Sequence, residues 1–278
     1  MRMSATDHLR AEIEITRPSS AMGHKVNGRL LDWPCPQPRP QVADGHGTHA
    51  VGLLLKVCPL ADVYVYRVTE NDTHSTNREH VAEALEDAIG KVDIISISFG
   101  WDLDNNQRLR DLLQRAYREG VLVFAASSNE GTRGSIAYPA RSDEVIAVDS
   151  ADYHGEPSKY NTPEDDQKLR FTALGEDVES AYPPQRARAG VTPGSKRLSG
   201  TSCATPIAAA TAAMLLEFAK QPPLGFDPSV LQHLKMVKSS ETSWGKRSML
   251  TYLPSLGLAN NDQEELGYGY QVLNSGQG

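Results

Sequence analysis

The sequence predicts an α/β fold in which a mainly parallel sheet carries helices on both faces. Three observations lead there. Between Asp62 and Val148, strand-like and helix-like stretches alternate at short intervals, the pattern of right-handed βαβ units in a doubly wound sheet. Residues 121–126 (Val-Leu-Val-Phe-Ala-Ala) are near-continuously apolar, as strands covered on both faces of a parallel sheet are, and residues 93–98 (Asp-Ile-Ile-Ser-Ile-Ser) read as the strand before them. At 278 residues and 39% hydrophobic, the chain is long enough to bury a full core.

The elements justify that class in order. Residues 1–40 read as an irregular or truncated N-terminal segment: Leu9 to Ile15 mixes charge with apolar residues and fits a short helix or strand. Pro34, Pro36, Pro38 and Pro40 then mark an extended loop. A domain over residues 41–220 follows. Asp44-Gly45-His46-Gly47-Thr48-His49 opens an apolar run to Leu55 that predicts a buried helix. Residues 63–68 are β-branched and aromatic, hence a strand. Thr76-Asn77-Arg78-Glu79 reads as a capping box, followed by Val81, Ala84, Leu85, Ala88 and Ile89 at helical spacing and a stop at Gly90. Strand 93–98 ends in Phe99-Gly100. Leu109, Leu112, Leu113, Ala116 and Tyr117 predict an amphipathic helix closed by Gly120, and residues 145–148 one more strand.

Residues 151–198 are mostly polar, with prolines and a short apolar insert at 171–174, and are expected to form surface hairpins and loops. The run from Ile207 to Leu216 is apolar almost all round and predicts a buried helix, with Pro206 in its first turn. The remaining residues, 221–278, are expected to give a modest helix around Val230, Leu231 and Leu234 and a loosely structured tail.

Composition excludes several functions. A net charge of −7 disfavours nucleic acid as a partner, since a phosphate backbone needs a basic face. No run of 18 apolar residues exists, so no membrane span is expected. The start, Met1-Arg2-Met3-Ser4, lacks the apolar core of a signal peptide. The three cysteines, Cys35, Cys58 and Cys203, are odd in number and widely spaced, with neither a disulfide framework nor a CxxC motif. Together these features favour an intracellular location.

The chemistry gathers on Gly200-Thr201-Ser202-Cys203-Ala204-Thr205-Pro206. Ser202 stands where a tight turn meets a helix N-terminus, a place that stabilises negative charge. It reads either as an ordinary cap or as a nucleophile. A serine hydroxyl needs a base to take its proton, and histidine is the usual one. His46 and His49 both begin the earlier apolar helix. Their spacing admits zinc, but HExxH and a third ligand are absent; His49 fits a structural, hydrogen-bonded histidine. Asn129, in Ser127-Ser128-Asn129-Glu130-Gly131, reads as a turn residue or as an amide donor aimed at a developing oxyanion. Ser98-Phe99-Gly100 is either a plain strand end or a backbone edge that could pair with an extended peptide.

Those stretches resemble the subtilisin-like serine proteases (peptidase S8). Asp44-Gly-His46-Gly-Thr-His-Ala, Ser127-Ser-Asn129-Glu-Gly131 and Gly200-Thr-Ser202-Cys-Ala-Thr-Pro206 look like that family's histidine, oxyanion-asparagine and serine motifs, in the family's order. The detail is closest to intracellular-type fungal members. The resemblance implies a three-layer fold and a serine endopeptidase acting on protein or peptide substrates. Ser202 would be its nucleophile and His46 its general base. Asn129 and the Ser202 N–H would form the oxyanion hole, and Ser98, Phe99 and Gly100 the substrate-binding strand. Calcium is implied by the resemblance alone, no metal-ligating residue being identified.

Two positions depart from the pattern. Ser128 stands where the family has glycine. The Asp-Thr/Ser-Gly turn that ends the family's first strand and supplies the triad acid is absent. Asp7, Asp32 and Asp44 are poor substitutes, so the expectation is a chain lacking the first strand. The rival reading is a catalytically impaired pseudoprotease that binds or scaffolds peptides.

Overall fold

A computed structural model describes residues 13–15, 45–66, 68, 76–103, 105–163, 168, 170–182, 194–220 and 272–273. Its centre is a seven-stranded sheet in the order β2-β1-β3-β4-β5-β6-β9, every neighbouring pair parallel. The strands are β1 (Ile13–Ile15), β2 (Tyr64–Tyr66), β3 (Ile94–Ile97), β4 (Leu122–Ala126), β5 (Val145–Ala151), β6 (Arg170–Leu174) and β9 (Val272–Leu273). Between β6 and β9 the chain forms an antiparallel pair, β7 (Val178–Ala181) and β8 (Ser195–Leu198). The helices are α1 (His46–Val57), α2 (Arg78–Ala88), α3 (Gln107–Arg118) and α4 (Thr201–Lys220).

The period of two along each strand builds the three layers. Ile95, Ile97, Val123, Ala125, Val145 and Ala147 face a core shared with α2 and α3, which supply Val81, Leu85, Leu109 and Leu113. Ile94, Leu122, Phe124, Ile146 and Val148 face the other way, onto Leu53 and Leu54 of α1 and the alanine-rich face of α4. Alternate residues thus enter different cores, which is why β4 is apolar throughout and the polar residues of β3 and β5, Ser96, Asp149 and Ser150, are buried as well.

Local chemistry fixes the helix ends. The side chains of Asn77 and Asn106 accept the backbone N–H groups of Glu79 and Leu109 at 2.9 Å, starting α2 and α3. The cap of α2 is therefore Asn77 and not Thr76, because the amide of Asn77 reaches the exposed donor first. Gly90 and Gly120 stand after the other ends with φ of 89° and 75°, a conformation glycine adopts without strain.

Three expectations need correction. The interior sheet position between β2 and β3 is filled, by Ile13–Ile15, so an N-terminal strand is present where a missing one was expected. A strand of three residues pairing only with distant partners has no local signature to read. Residues 170–174 are not a loop insert but β6, a buried strand paired with β5. And α4 begins at Thr201, five residues earlier than Pro206. Proline there removes only the bond to the carbonyl of Ser202, a cost the apolar packing of α4 absorbs. Asp7, Asp32, Asp44, the proline-rich stretch and the tail helix at Val230–Leu234 lie outside the described residues.

Candidate active site

Because the main strands are parallel, the loops beyond their carboxyl ends gather along one edge of the sheet, where α/β proteins place their sites. β3 runs into Ser98-Phe99-Gly100, β4 into Ser127–Gly131, and β6 into Gly175, which meets the turn that begins α4. His46 enters from α1, which packs along α4 beneath the sheet.

Asn129 and the start of α4 are joined directly. The Asn129 side-chain oxygen accepts the backbone N–H of Thr201 at 2.9 Å and its hydroxyl at 3.2 Å. With Oδ1 held, the side-chain nitrogen is turned to the Gly200–Ser202 side. A Cβ placed on Gly200 would lie 3.2 Å from Asn129 Nδ2 and 3.4 Å from Ser202 Oγ, so both atoms border one small space. Gly200 has φ of 146°, a conformation that glycine accommodates and other residues rarely adopt.

The first turn of α4 leaves one amide open. Its initial N–H groups have no intrahelical acceptor. That of Thr201 goes to Asn129, and those of Cys203 and Ala204 both fold back onto the Gly200 carbonyl, at 2.9 and 3.3 Å. The Ser202 N–H has no protein partner among the described residues. With Asn129 Nδ2 it makes two donors, beside the Ser202 hydroxyl and at the positive end of a 20-residue helix. Asn129 is exposed and Ser202 half-buried, whereas their neighbours Ser127, Thr201 and Cys203 are buried.

His46 is the first residue of α1, behind Gly45, whose φ of 82° turns the chain into the helix. It is half-buried. One turn on, His49 is buried, and its Nε2–H is shared between the carbonyls of Val178 (2.9 Å) and Lys196 (3.1 Å) across the β7–β8 pair. Two carbonyl acceptors fix the proton on Nε2. Burial is the main cause that lowers the His49 pKa, keeping the ring neutral. This is the structural role expected of it. Among the described residues there is no cluster of three or more His, Cys, Asp or Glu that could hold a metal.

The Cys203 side chain packs inward. Burial pushes its thiol up to about 11, only partly offset by a hydrogen bond with Ser202, so it is no thiolate nucleophile. Beside the half-buried Phe99, Gly100 is exposed. The backbone just beyond it is committed: Trp101 and Tyr138 exchange both backbone hydrogen bonds at 2.8 Å. Phe99 stacks edge-on to Trp101, with ring centres 5.5 Å apart. The Trp101–Tyr138 clasp thus closes the backbone directly after Ser98–Gly100, of which Ser98 is buried.

The sequence pattern of the Peptidase_S8 Subtilase family matches residues 30–269. The chain belongs to the subtilase family. The subtilisin-like protease het-Q2 of Podospora anserina is 32% identical over 238 residues, covering 81% of this chain and 59% of that protein. Subtilisin Savinase of Lederbergia lenta is 32% identical over 234 residues, covering 81% of this chain and 78% of the relative. Of the minor extracellular protease Epr of Bacillus subtilis, the chain matches only 26% of the length, at 30% identity. The solved structure of the prenylagaramide maturation protease PagA shares the fold, with a TM-score of 0.66 and 24% identity over 81% of each chain. The subtilase fold is the three-layer α/β arrangement read from the sequence.

Sequence reasoning missed Thr201 as the anchor of Asn129, although it adjoins Ser202. It also missed the Trp101–Tyr138 clasp, for which a three-residue loop motif carries no signal.

Proposed function

We propose that this subtilase is a serine endopeptidase in which Ser202 attacks the scissile carbonyl. The observation that supports this most is the pair of open donors, Asn129 Nδ2 and the Ser202 N–H, bordering the Ser202 hydroxyl. Donors fixed in advance toward a developing oxyanion cost no reorganisation during reaction and are among the largest contributions to such catalysis. His46 takes the Ser202 proton as the C–O bond forms, then delivers it to the leaving amine as the peptide C–N bond breaks. Water, activated by the same imidazole, hydrolyses the acyl-enzyme and returns Ser202. Substrate lies extended against Ser98, Phe99 and Gly100.

One observation favours the weaker-enzyme reading. β1 is present, yet the sequence after it, Thr16-Arg17-Pro18, holds no acid before Asp32. In subtilisin, a relative, loss of the triad acid alone lowers kcat about 3 × 10⁴-fold, against about 2 × 10⁶ for loss of serine or histidine. A feeble hydrolase, or a peptide-binding domain, fits that loss.

Labelling with a fluorophosphonate probe tests the proposal. The wild-type chain is expected to be labelled and Ser202→Ala to take no label while keeping its circular dichroism. Labelling that survives in Ser202→Ala would refute the serine mechanism.

A further inference from the structure

The loop after β5 bears a tyrosine that the mechanism does not use. Tyr160 is half-buried and its two ends touch both halves of the site. Its backbone carbonyl accepts the N–H of Gly131 at 2.9 Å, two residues beyond Asn129. Its hydroxyl lies 2.9 Å from Ser150 Oγ and 3.3 Å from the carbonyl of Gly175. That same carbonyl accepts the N–H of Gly200 at 2.8 Å, two residues before Ser202.

The hydrogens balance in one direction only. Ser158 Oγ donates to Ser150 Oγ at 2.9 Å. Ser150 then spends its own proton on the Tyr160 oxygen, and Tyr160 donates to Gly175 O. The two lone pairs of Gly175 O are thereby filled, by Tyr160 and by Gly200. The loop itself is held at its base by Asn161, whose side chain bonds both the N–H (3.0 Å) and the carbonyl (2.7 Å) of Ser150. Space at Gly175 is already closed: a Cβ there would meet Ser150 Oγ at 2.3 Å and Gly200 O at 2.8 Å.

We propose that Tyr160 is a positioning residue for the oxyanion site. It closes a ring that runs from Asn129 through Gly131 to Tyr160, on to Gly175 and Gly200, and back through Thr201 to Asn129. The Thr201–Asn129 bond ties the ring on the side facing substrate, and Tyr160 ties it on the far side. Two ties, and not one, fix the spacing between Asn129 Nδ2 and the Ser202 N–H, a spacing on which oxyanion stabilisation depends. The catalytic part of this inference rests on the proposed role of Ser202; the structural part does not.

The test compares Tyr160→Phe with Tyr66→Phe in the full chain. The control removes a tyrosine hydroxyl bond of similar kind, to Asp87 at 2.5 Å, away from the site. Amide hydrogen exchange of the peptide carrying Gly200 and Thr201 is expected to quicken about tenfold in Tyr160→Phe and to stay unchanged in Tyr66→Phe. In the same variant kcat for a peptide substrate should fall about tenfold with KM within about twofold, and fluorophosphonate labelling should slow in step. Equal exchange in Tyr160→Phe and the wild type would overturn the proposal, as would a loss expressed in KM alone. Faster exchange in a chain that takes no label would uphold the positioning role and refute Ser202 as nucleophile instead.

Discussion

Removing Arg170 should unfold this protein far more easily than removing Arg170 together with its partner. Asp149 is fully buried and the Arg170 side chain is 4% exposed. Asp149 Oδ1 accepts Ser127 Oγ at 2.5 Å and Arg170 Nη2 at 2.6 Å. Arg170 Nε also lies 2.6 Å from Oδ2, a contact directed too poorly for a hydrogen bond and so mainly Coulombic. The guanidinium further donates to the carbonyl of Pro163 (2.6 Å) and to Thr162 O and Oγ1 (3.1 and 2.9 Å). Arg170→Met leaves a carboxylate inside the fold with one hydroxyl donor.

Breaking one side of a buried pair in this way costs about 3–5 kcal/mol. At about 2–4 °C per kcal/mol for a domain of this size, the midpoint should drop by about 6–20 °C. Asp149→Leu combined with Arg170→Met removes both charges. Pro163 O, Thr162 O and Thr162 Oγ1 lose their donor in both variants, so the double variant exchanges an unpaired buried carboxylate for an unpaired Ser127 hydroxyl, at about 1 kcal/mol. The double variant should therefore recover about half the loss or more. Urea unfolding in a Ser202→Ala background, which prevents autolysis, measures both. A single variant that loses less than about 1 kcal/mol, or a double variant no better than the single, would refute the argument.

Three further outcomes are expected. His49 has a folded-state pKa below its unfolded value. Its contribution is thus complete above about pH 6.5 and is lost as pH falls from there through the folded pKa; His49→Gln should flatten the slope of stability between about pH 8 and about pH 5 in urea titrations. Gly200→Ala introduces a Cβ between Asn129 Nδ2 and Ser202 Oγ at a φ of 146°, so labelling should slow at least about tenfold and stability fall by about 1–3 kcal/mol, read by labelling time courses and thermal melts. Asn129→Ala removes an oxyanion donor and the acceptor of Thr201 N–H together, and steady-state kinetics should show kcat down about 10²–10³-fold with KM little changed.

Much of the architecture was legible because it is written locally. Asn106 ahead of Leu109, Leu112 and Leu113 carries its own start signal and its own buried face, and α3 follows both. The continuous apolar run of β4 signals burial on two faces without reference to any partner. What escaped notice depends on distant pairing. Ile13-Glu14-Ile15 is a strand only because Tyr64–Tyr66 and Ile95-Ser96 lie on either side of it. Arg170, which looks like a surface cation, enters the interior because Asp149 faces it from the next strand. In the candidate site, short motifs marked Ser202, His46 and Asn129, and the structure brings Asn129 to the Gly200–Ser202 turn. Tyr160 was not marked, since the bonds that tie it to the site reach Gly131 and Gly175, 29 and 15 residues away.

The position of β1 sharpens the question of activity. It runs parallel to β3, and so points its carboxyl end toward the same edge of the sheet to which β3 delivers Ser98. The residues that follow β1 are Thr16 and Arg17, neither of them an acid. Two properties that usually travel together can then be separated. Reaction of Ser202 with a phosphonate is a single attack that uses the imidazole base once, together with the two oxyanion donors at the start of α4. Turnover of a peptide requires an oriented imidazole in both acylation and deacylation, which is what the acid provides. An endopeptidase with another acid should label and turn over at ordinary rates. A chain reduced to His46 and Ser202 should label slowly and turn over about 3 × 10⁴-fold more slowly than an intact triad, and the two rates measured together distinguish them.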